Sequence, residues 1–270
     1  MYRRPLDAAM SLIGVLTIHG MGTQDERFDA GLRTRLRKAV GARVAGDLVF
    51  QRLYYQDQIQ GQQAAVWARM QRAGLSWKWL HRFFLYFFSD AVTYQYKPGR
   101  QDSVYGNVHT ALKDQIDALH VRLGGRHAPL VVIASSLGGH VISNHIWDAQ
   151  RGGGIWESRP ASHFQQLGTT ALMFTTGCNI PLFASGHSRV EAINKPNPRF
   201  RWINYYSRPD ILGWPLKPLS SGFENSYNEV VEEDRRKWLG FTPLAHTRYW
   251  RWGSVVGDMA REIRQLHARM

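Results

Sequence analysis

Cysteine is almost missing: Cys178 is the single one in 270 residues. With no second thiol the chain cannot close an internal disulfide, and nothing in its composition marks an oxidising compartment. No His-Glu-x-x-His, cysteine pair or Gly-x-x-x-x-Gly-Lys occurs, so the eleven histidines give no metal site and no nucleotide-phosphate loop is expected. Internal repeats and low-complexity tracts are absent too. Acidic residues are scarce, 21 Asp+Glu against 34 Lys+Arg, for a formal charge of +13. That excess points to an anionic partner and says nothing about fold. Disorder is excluded by the opposite observation, since 44% hydrophobic and 12% aromatic residues supply a core.

Two continuous apolar runs, each ending in a glycine-rich turn, read as buried parallel strands. They are Leu12 to Ile18, followed by His19-Gly20-Met21-Gly22, and Leu130 to Ala134, followed by Ser135-Ser136-Leu137-Gly138-Gly139. A helical pattern follows each: Phe28, Leu32, Leu36 and Val40 after the first, Ile142, Ile146 and Ala149 after the second, the latter stopped by Gly152-Gly153-Gly154. Further strands are expected at 48–55, 171–176, 200–206 and, weakly, around Val230. Val108, Leu112, Ile116, Leu119 and Leu123 draw another helix face, as do Val255, Met259, Ile263 and Leu266. Strands alternating with amphipathic helices imply a mainly parallel sheet covered on both faces, the α/β class, in a single domain over residues 1–270.

Residues 56–100 break the alternation. Within them Trp79, Leu80, Phe83, Phe84, Phe87 and Phe88 follow helical spacing, widened by Trp77, Leu85 and Tyr86. The stretch is shorter than the roughly 20 residues a bilayer span takes. It reads either as a helix packed on the main core or as a cap over an active site, with Lys78 and Arg82 on its less apolar side.

The second turn has the requirements of a nucleophile elbow, which holds a serine in a strained strand-to-helix bend and leaves room only for small residues two positions either side. Ser136 has Ala134 and Gly138 there; Ser135 has Ile133 and Leu137. Ser136 is therefore the candidate nucleophile. Acyl transfer also needs backbone N–H groups aimed at the developing oxyanion. Leu137, directly after the serine, and Met21, in the first glycine-rich turn, are the candidate donors, with His19, Gly20, Gly22 and Gly138 supporting them. His19 reads as a brace for this loop rather than a catalytic base.

With these two motifs the sequence resembles the α/β-hydrolase superfamily, in particular small lipases and esterases. The resemblance is carried by Val15-Leu16-Thr17-Ile18-His19-Gly20-Met21-Gly22 and Val131-Val132-Ile133-Ala134-Ser135-Ser136-Leu137-Gly138-Gly139. Ala134 stands where the commonest pattern has its first glycine, as it does in some bacterial lipases. Eleven residues before the first strand leave no room for the two extra N-terminal strands of the full-size fold, so a shortened sheet of about six strands is implied, with 56–100 as a helical insertion. The apolar run after Tyr2-Arg3-Arg4 has the outline of a signal peptide, but its removal would take the first core strand and the oxyanion turn.

The resemblance also implies a chain order of serine, acid, histidine, the last two on loops after strands. Asp210, directly after the strand at 200–206, is the expected acid, against Asp148 and the Glu232-Glu233-Asp234 run. His246, just before the final helix, is the expected base, against His267 inside that helix and His187, which precedes Asp210. The expected activity is ester cleavage by a Ser136-His246-Asp210 triad without metal or cofactor, on a hydrophobic or lipid-like substrate. Thioesterase, amidase and acyltransferase chemistry use the same triad. A competing expectation is an inactive hydrolase fold that binds anionic membranes; nucleic acid is disfavoured because the arginines are spread and no binding motif occurs. The expected location is the cytoplasm, peripheral to a membrane at most.

Overall fold

In a computed structural model of the chain, the described residues are 11–20, 25–59, 63–78, 81–82, 85–86, 89, 94, 103–186, 188, 190–224, 227–231 and 246–270. Six parallel strands form one sheet: β1 (Ile13–Ile18), β2 (Leu48–Leu53), β3 (Leu130–Ser135), β4 (Thr170–Thr176), β5 (Arg201–Tyr206) and β6 (Tyr227–Val231), in the order β2-β1-β3-β4-β5-β6. The chain leaves β1 toward one edge to make β2, then returns to lay β3 on the other side of β1 and continues outward. The strand order thus reverses between β1 and β3. Above the carboxyl ends of two such strands the following segments diverge and leave a crevice, the usual place for a ligand in a parallel sheet.

Both sheet faces are covered, which explains why β1, β3 and β4 are apolar without alternation. On one face Leu16, Ile18, Val132, Ala134 and Met173 pack with α5 (Val104–Arg122) and α6 (Leu137–Arg151). On the other, Val15, Val131, Ile133 and Phe174 pack with Leu32, Leu36 and Val40 of α1 (Ala30–Val40) and with Val255, Met259 and Ile263 of α9 (Gly253–Ala268). Shorter helices are α2 (Ala42–Asp47), α3 (Gln56–Ile59), α4 (Gln63–Met70), α7 (Ile180–Ala184) and α8 (Ser221–Glu224).

The helix after β1 begins later than its apolar spacing suggests. Phe28 fits the four-residue repeat, yet α1 starts at Ala30 because Asp29 is fully buried beneath it, accepting from Thr17 Oγ1 at 2.7 Å and paired with Arg52 of β2. This carboxylate fixes the start of α1 against β1 and β2. Phe28, only half-buried, is left facing the crevice.

The apolar residues of the 56–100 insertion on which its cap reading rests, Trp79, Leu80, Phe83, Phe84, Phe87 and Phe88, lie outside the described residues. Of the others in that stretch, Trp77 is exposed, whereas Tyr86 and Tyr94 are buried. Tyr94 reaches a buried file of histidines: its hydroxyl is 2.7 Å from His109 Nε2, His109 Nδ1 is 3.3 Å from His145 Nδ1, and His145 Nε2 is 3.2 Å from the Gln165 carbonyl. That carbonyl can only accept, so His145 carries its proton on Nε2, His109 donates through Nδ1, and Tyr94 donates to His109 Nε2. Both rings are neutral, burial being the main cause: it holds His109 well below its usual range and His145 at about 4.

Candidate active site

Ser136 occupies the bend between β3 and α6 with φ 52° and ψ −125°, a conformation non-glycine residues rarely adopt. The bend is held by Ser136 N–H donating to the Thr176 carbonyl at 2.9 Å and by Gly139 N–H donating to the Ser136 carbonyl at 3.0 Å. Leu137 is the first residue of α6, so its N–H has no acceptor within the helix and is free to face a developing oxyanion.

The β1–β3 register explains the small residues around this bend. Ile18 pairs with Ala134, so continuing the ladder sets Gly20 across from Ser136. A Cβ on Gly20 would lie 2.6 Å from Ser136 Cβ, and one on Gly138 would lie 2.4 Å from the His19 carbonyl oxygen. Neither position has room for a side chain. His19 braces the same corner: Tyr55 N–H donates to its Nε2 at 3.1 Å, so Nδ1 carries the proton and donates to the Gly20 carbonyl at 2.8 Å. Burial holds His19 down to about 4, partly offset by that carbonyl. Its ring stacks on Tyr55 at 4.0 Å, and the Tyr55 hydroxyl donates to its carbonyl at 2.9 Å. Both ring nitrogens are thus engaged in structure. Met21 and Gly22 lie outside the described residues.

Asp210 and His246 come together from the loops after β5 and before α9. His246 Nδ1 lies 2.9 Å and 3.1 Å from the two carboxylate oxygens of Asp210. Burial alone would push this carboxyl up and is the largest single influence. Hydrogen bonds from His246, Tyr249 and Leu212, with the imidazole charge, outweigh it and hold Asp210 below its usual range. With Nδ1 donating to Asp210, neutral His246 presents Nε2 as an acceptor. That atom and Ser136 Oγ are both buried and, among the described residues, have no hydrogen-bond partner, including each other. Both residues line one cavity of about 520 Å³. Catalytic serine–histidine bonds are often long before substrate binds.

The Asp210 loop is tied to the sheet by a buried polar chain. Trp202 Nε1 donates to Thr175 Oγ1, which donates to Asn204 Oδ1, whose amide nitrogen donates to the Trp214 carbonyl, at 2.9, 2.8 and 3.0 Å. Trp214 N–H closes onto the Cys178 carbonyl at 2.9 Å. The loop's position is therefore set by side chains on β4 and β5.

The competing residues are occupied elsewhere or not described. Asp148 accepts from the Tyr105 hydroxyl at 2.7 Å, and His267 is 2.7 Å from Asp47. Ser135 lines the same cavity as Ser136 but keeps an ordinary backbone at the end of β3. His187 and Glu232–Asp234 lie outside the described residues. Sequence reasoning passed over Tyr249, whose hydroxyl donates to Asp210 Oδ2 at 2.8 Å and accepts from Ser207 N–H at 2.9 Å. Its one sequence cue is its place three residues after His246. No group of three or more possible metal ligands occurs among the described residues.

No family model matches the chain, and no curated protein matches it. Among solved structures it is similar to a dienelactone hydrolase from Anabaena variabilis, at 13% identity and TM-score 0.42 over 94% of this chain and 84% of that one. It is also similar to an esterase from Pyrobaculum calidifontis, at 12% identity and TM-score 0.42 over 94% and 76%. A third similarity is to Est1E from Butyrivibrio proteoclasticus, at 10% identity and TM-score 0.39 over 98% and 90%.

Proposed function

We propose that this chain is a serine hydrolase of the α/β-hydrolase type, cleaving carboxylic esters through Ser136, His246 and Asp210. The observation that carries the reading is the strained Ser136 at the β3–α6 bend, sharing a cavity with a histidine whose far nitrogen is held by a buried carboxylate. Ser136 Oγ attacks the ester carbonyl while His246 Nε2 takes its proton. Asp210 keeps the imidazole in the right tautomer and stabilises its cation without accepting the proton. The tetrahedral oxyanion is met by the Leu137 N–H and by a second donor from the turn after Gly20, for which Met21 is our candidate. The proton passes to the leaving alkoxide, and a water activated by His246 then releases the acid.

The apolar part of the substrate would rest on Phe28, Leu32 and Trp250, which line the cavity beside Ser136. Peripheral binding to an anionic membrane rests on the net charge and on the undescribed aromatics of 79–88; among the described residues no helix is long and apolar enough to cross a membrane. Co-sedimentation with anionic vesicles tests that part. The catalytic reading is tested by labelling with a fluorophosphonate and mapping the modified residue. Labelling at Ser136 that disappears in Ser136→Ala is expected; a folded protein that takes no label defeats the proposal. A panel of esters, thioesters and amides then separates the activities that share this triad.

A further inference from the structure

Among the described residues, the fixed charge lining the cavity before Ser136 is of one sign. The ionisable residues among them that line it are His19, His246, Tyr249, Arg35 and Arg251, while Asp210 sits behind His246 and is not in the lining. The two arginines are unlike most of their neighbours. On α1, Arg37 donates to the carbonyls of Ala45 and Leu48, and Arg33 lies near Asp29 and over the Phe50 ring. Arg52, Arg122 and Arg201 likewise hold Asp29, the Phe50 carbonyl and Glu262. Arg35 and Arg251 form no ion pair or side-chain hydrogen bond among the described residues.

Their placement is specific. A Cβ on Gly31 would lie 2.8 Å from Arg35 Nη1, so the guanidinium folds back along α1, over a position with no side chain, toward the end of the helix that faces the cavity. Arg251 stands on the turn Tyr249–Arg251, whose first residue holds Asp210. One cation therefore comes from the β1 side of the crevice and the other from the turn after the catalytic histidine. Guanidinium groups bind carboxylate and phosphate through forked, charge-assisted hydrogen bonds, and a partly enclosed cavity weakens the screening of such charges.

We infer that the substrate is an ester bearing a second, anionic group, a carboxylate or a phosphate, which Arg35 and Arg251 hold while Ser136 attacks the carbonyl. The inference rests on the serine-hydrolase reading of the same cavity. In the step itself the Ser136 Oγ–acyl bond forms, the acyl–alkoxy bond breaks, and the serine proton leaves on the alcohol through His246. The anionic group is a spectator that fixes orientation and remains on whichever product carries it.

The test compares matched esters: monomethyl succinate with methyl butanoate for the carboxylate, and 2-(phosphonooxy)ethyl acetate with 2-methoxyethyl acetate for the phosphate. A preference of about ten-fold or more in kcat/KM for at least one anionic ester is expected. It should shrink as ionic strength rises from about 0.05 to about 0.5 M. In Arg35→Gln/Arg251→Gln the ratio should collapse toward one; both residues are exposed, so the urea midpoint checks that the fold is kept. The arm that shows the preference identifies the anion. Equal rates within both pairs, with Ser136 still labelled by a fluorophosphonate, overturn the inference and leave the hydrolase reading standing. Absence of labelling overturns the hydrolase reading alone, and calorimetric titration with phenyl phosphate then decides the arginine site. Binding that is lost in the double variant supports it; no binding, or equal binding, overturns it.

Discussion

Acid should destabilise this protein before its carboxylates titrate, because its interior holds neutral histidines. His19 and His145 are fully buried, and burial, partly offset by the Gly20 carbonyl for one and by the Gln165 carbonyl and Asp117 for the other, lowers both from 6.5 to about 4. The unfolded chain takes up these protons near 6.5 while the folded chain refuses them until about 4. Stability is therefore fully present above 6.5 and is lost as the pH falls through that window. Each full gap corresponds to about 3 kcal/mol. At pH 5.5 the unfolded imidazole is already about nine-tenths protonated and the folded one almost neutral, so each histidine has withdrawn on the order of 1 kcal/mol. Together they should lower the unfolding free energy by roughly 2–3 kcal/mol between pH 7.5 and 5.5, with His109 adding in the same direction. This is a large part of a typical domain's 5–15 kcal/mol. Urea unfolding followed by tryptophan fluorescence at the two pH values, at one ionic strength, measures it. In His145→Gln, which keeps a donor and an acceptor but no titratable ring, the pH-dependent loss should shrink by about half, on the order of 1 kcal/mol. An unfolding free energy equal at both pH values to within about 0.5 kcal/mol would show that these rings are solvated or already charged in the folded protein.

The site yields three more expectations. Tyr249→Phe keeps the ring but removes a donor to a buried carboxylate and the acceptor for Ser207 N–H. It should cost about 2 kcal/mol in urea unfolding and reduce kcat, with Asp210 titrating higher; an unchanged acid limb in the pH–rate profile would deny that Tyr249 positions the acid. Ser136→Gly and Ser136→Ala should both be inactive, but the glycine variant should be the more stable by about 1 kcal/mol, because only it relaxes at φ 52°. The reverse order would mean that the bend is unstrained. Gly138→Ala places a methyl group against the His19 carbonyl, a backbone atom that cannot swing away, and should destabilise by about 1–3 kcal/mol. A variant with wild-type stability and activity would show that the β1 turn has slack.

The alternation of buried strands and amphipathic helices is written openly in the sequence, because burial on both faces forces long apolar runs in β1, β3 and β4 and a 3.6-residue period in α5, α6 and α9. The bend at Ser136 is equally legible: sterics two residues either side of the serine distinguish it from Ser135 without any coordinates. Less visible is what depends on distant pairing. Asp29 reads as an ordinary polar residue between Phe28 and Leu32, yet its ties to Thr17 and Arg52, 12 and 23 residues away, delay the start of α1. Tyr249 meets Asp210 only because two loops converge. Arg35 and Arg251, two among 34 basic residues, acquire meaning only when the fold sets them around one cavity.

The ladder between β1 and β3 acts as a ruler for the chemistry. Five backbone pairings, from Gly14 opposite Leu130 to Ile18 opposite Ala134, set how far the glycine turn after β1, the proposed oxyanion turn, reaches beside Ser136. Here the two halves of the crevice emerge from adjacent, hydrogen-bonded strands at the centre of the sheet. Length changes before Leu12 would leave their alignment untouched. Loss of one residue inside β1 would exchange the faces of that strand and bring a residue with a side chain to the rung opposite Ser136, where none fits.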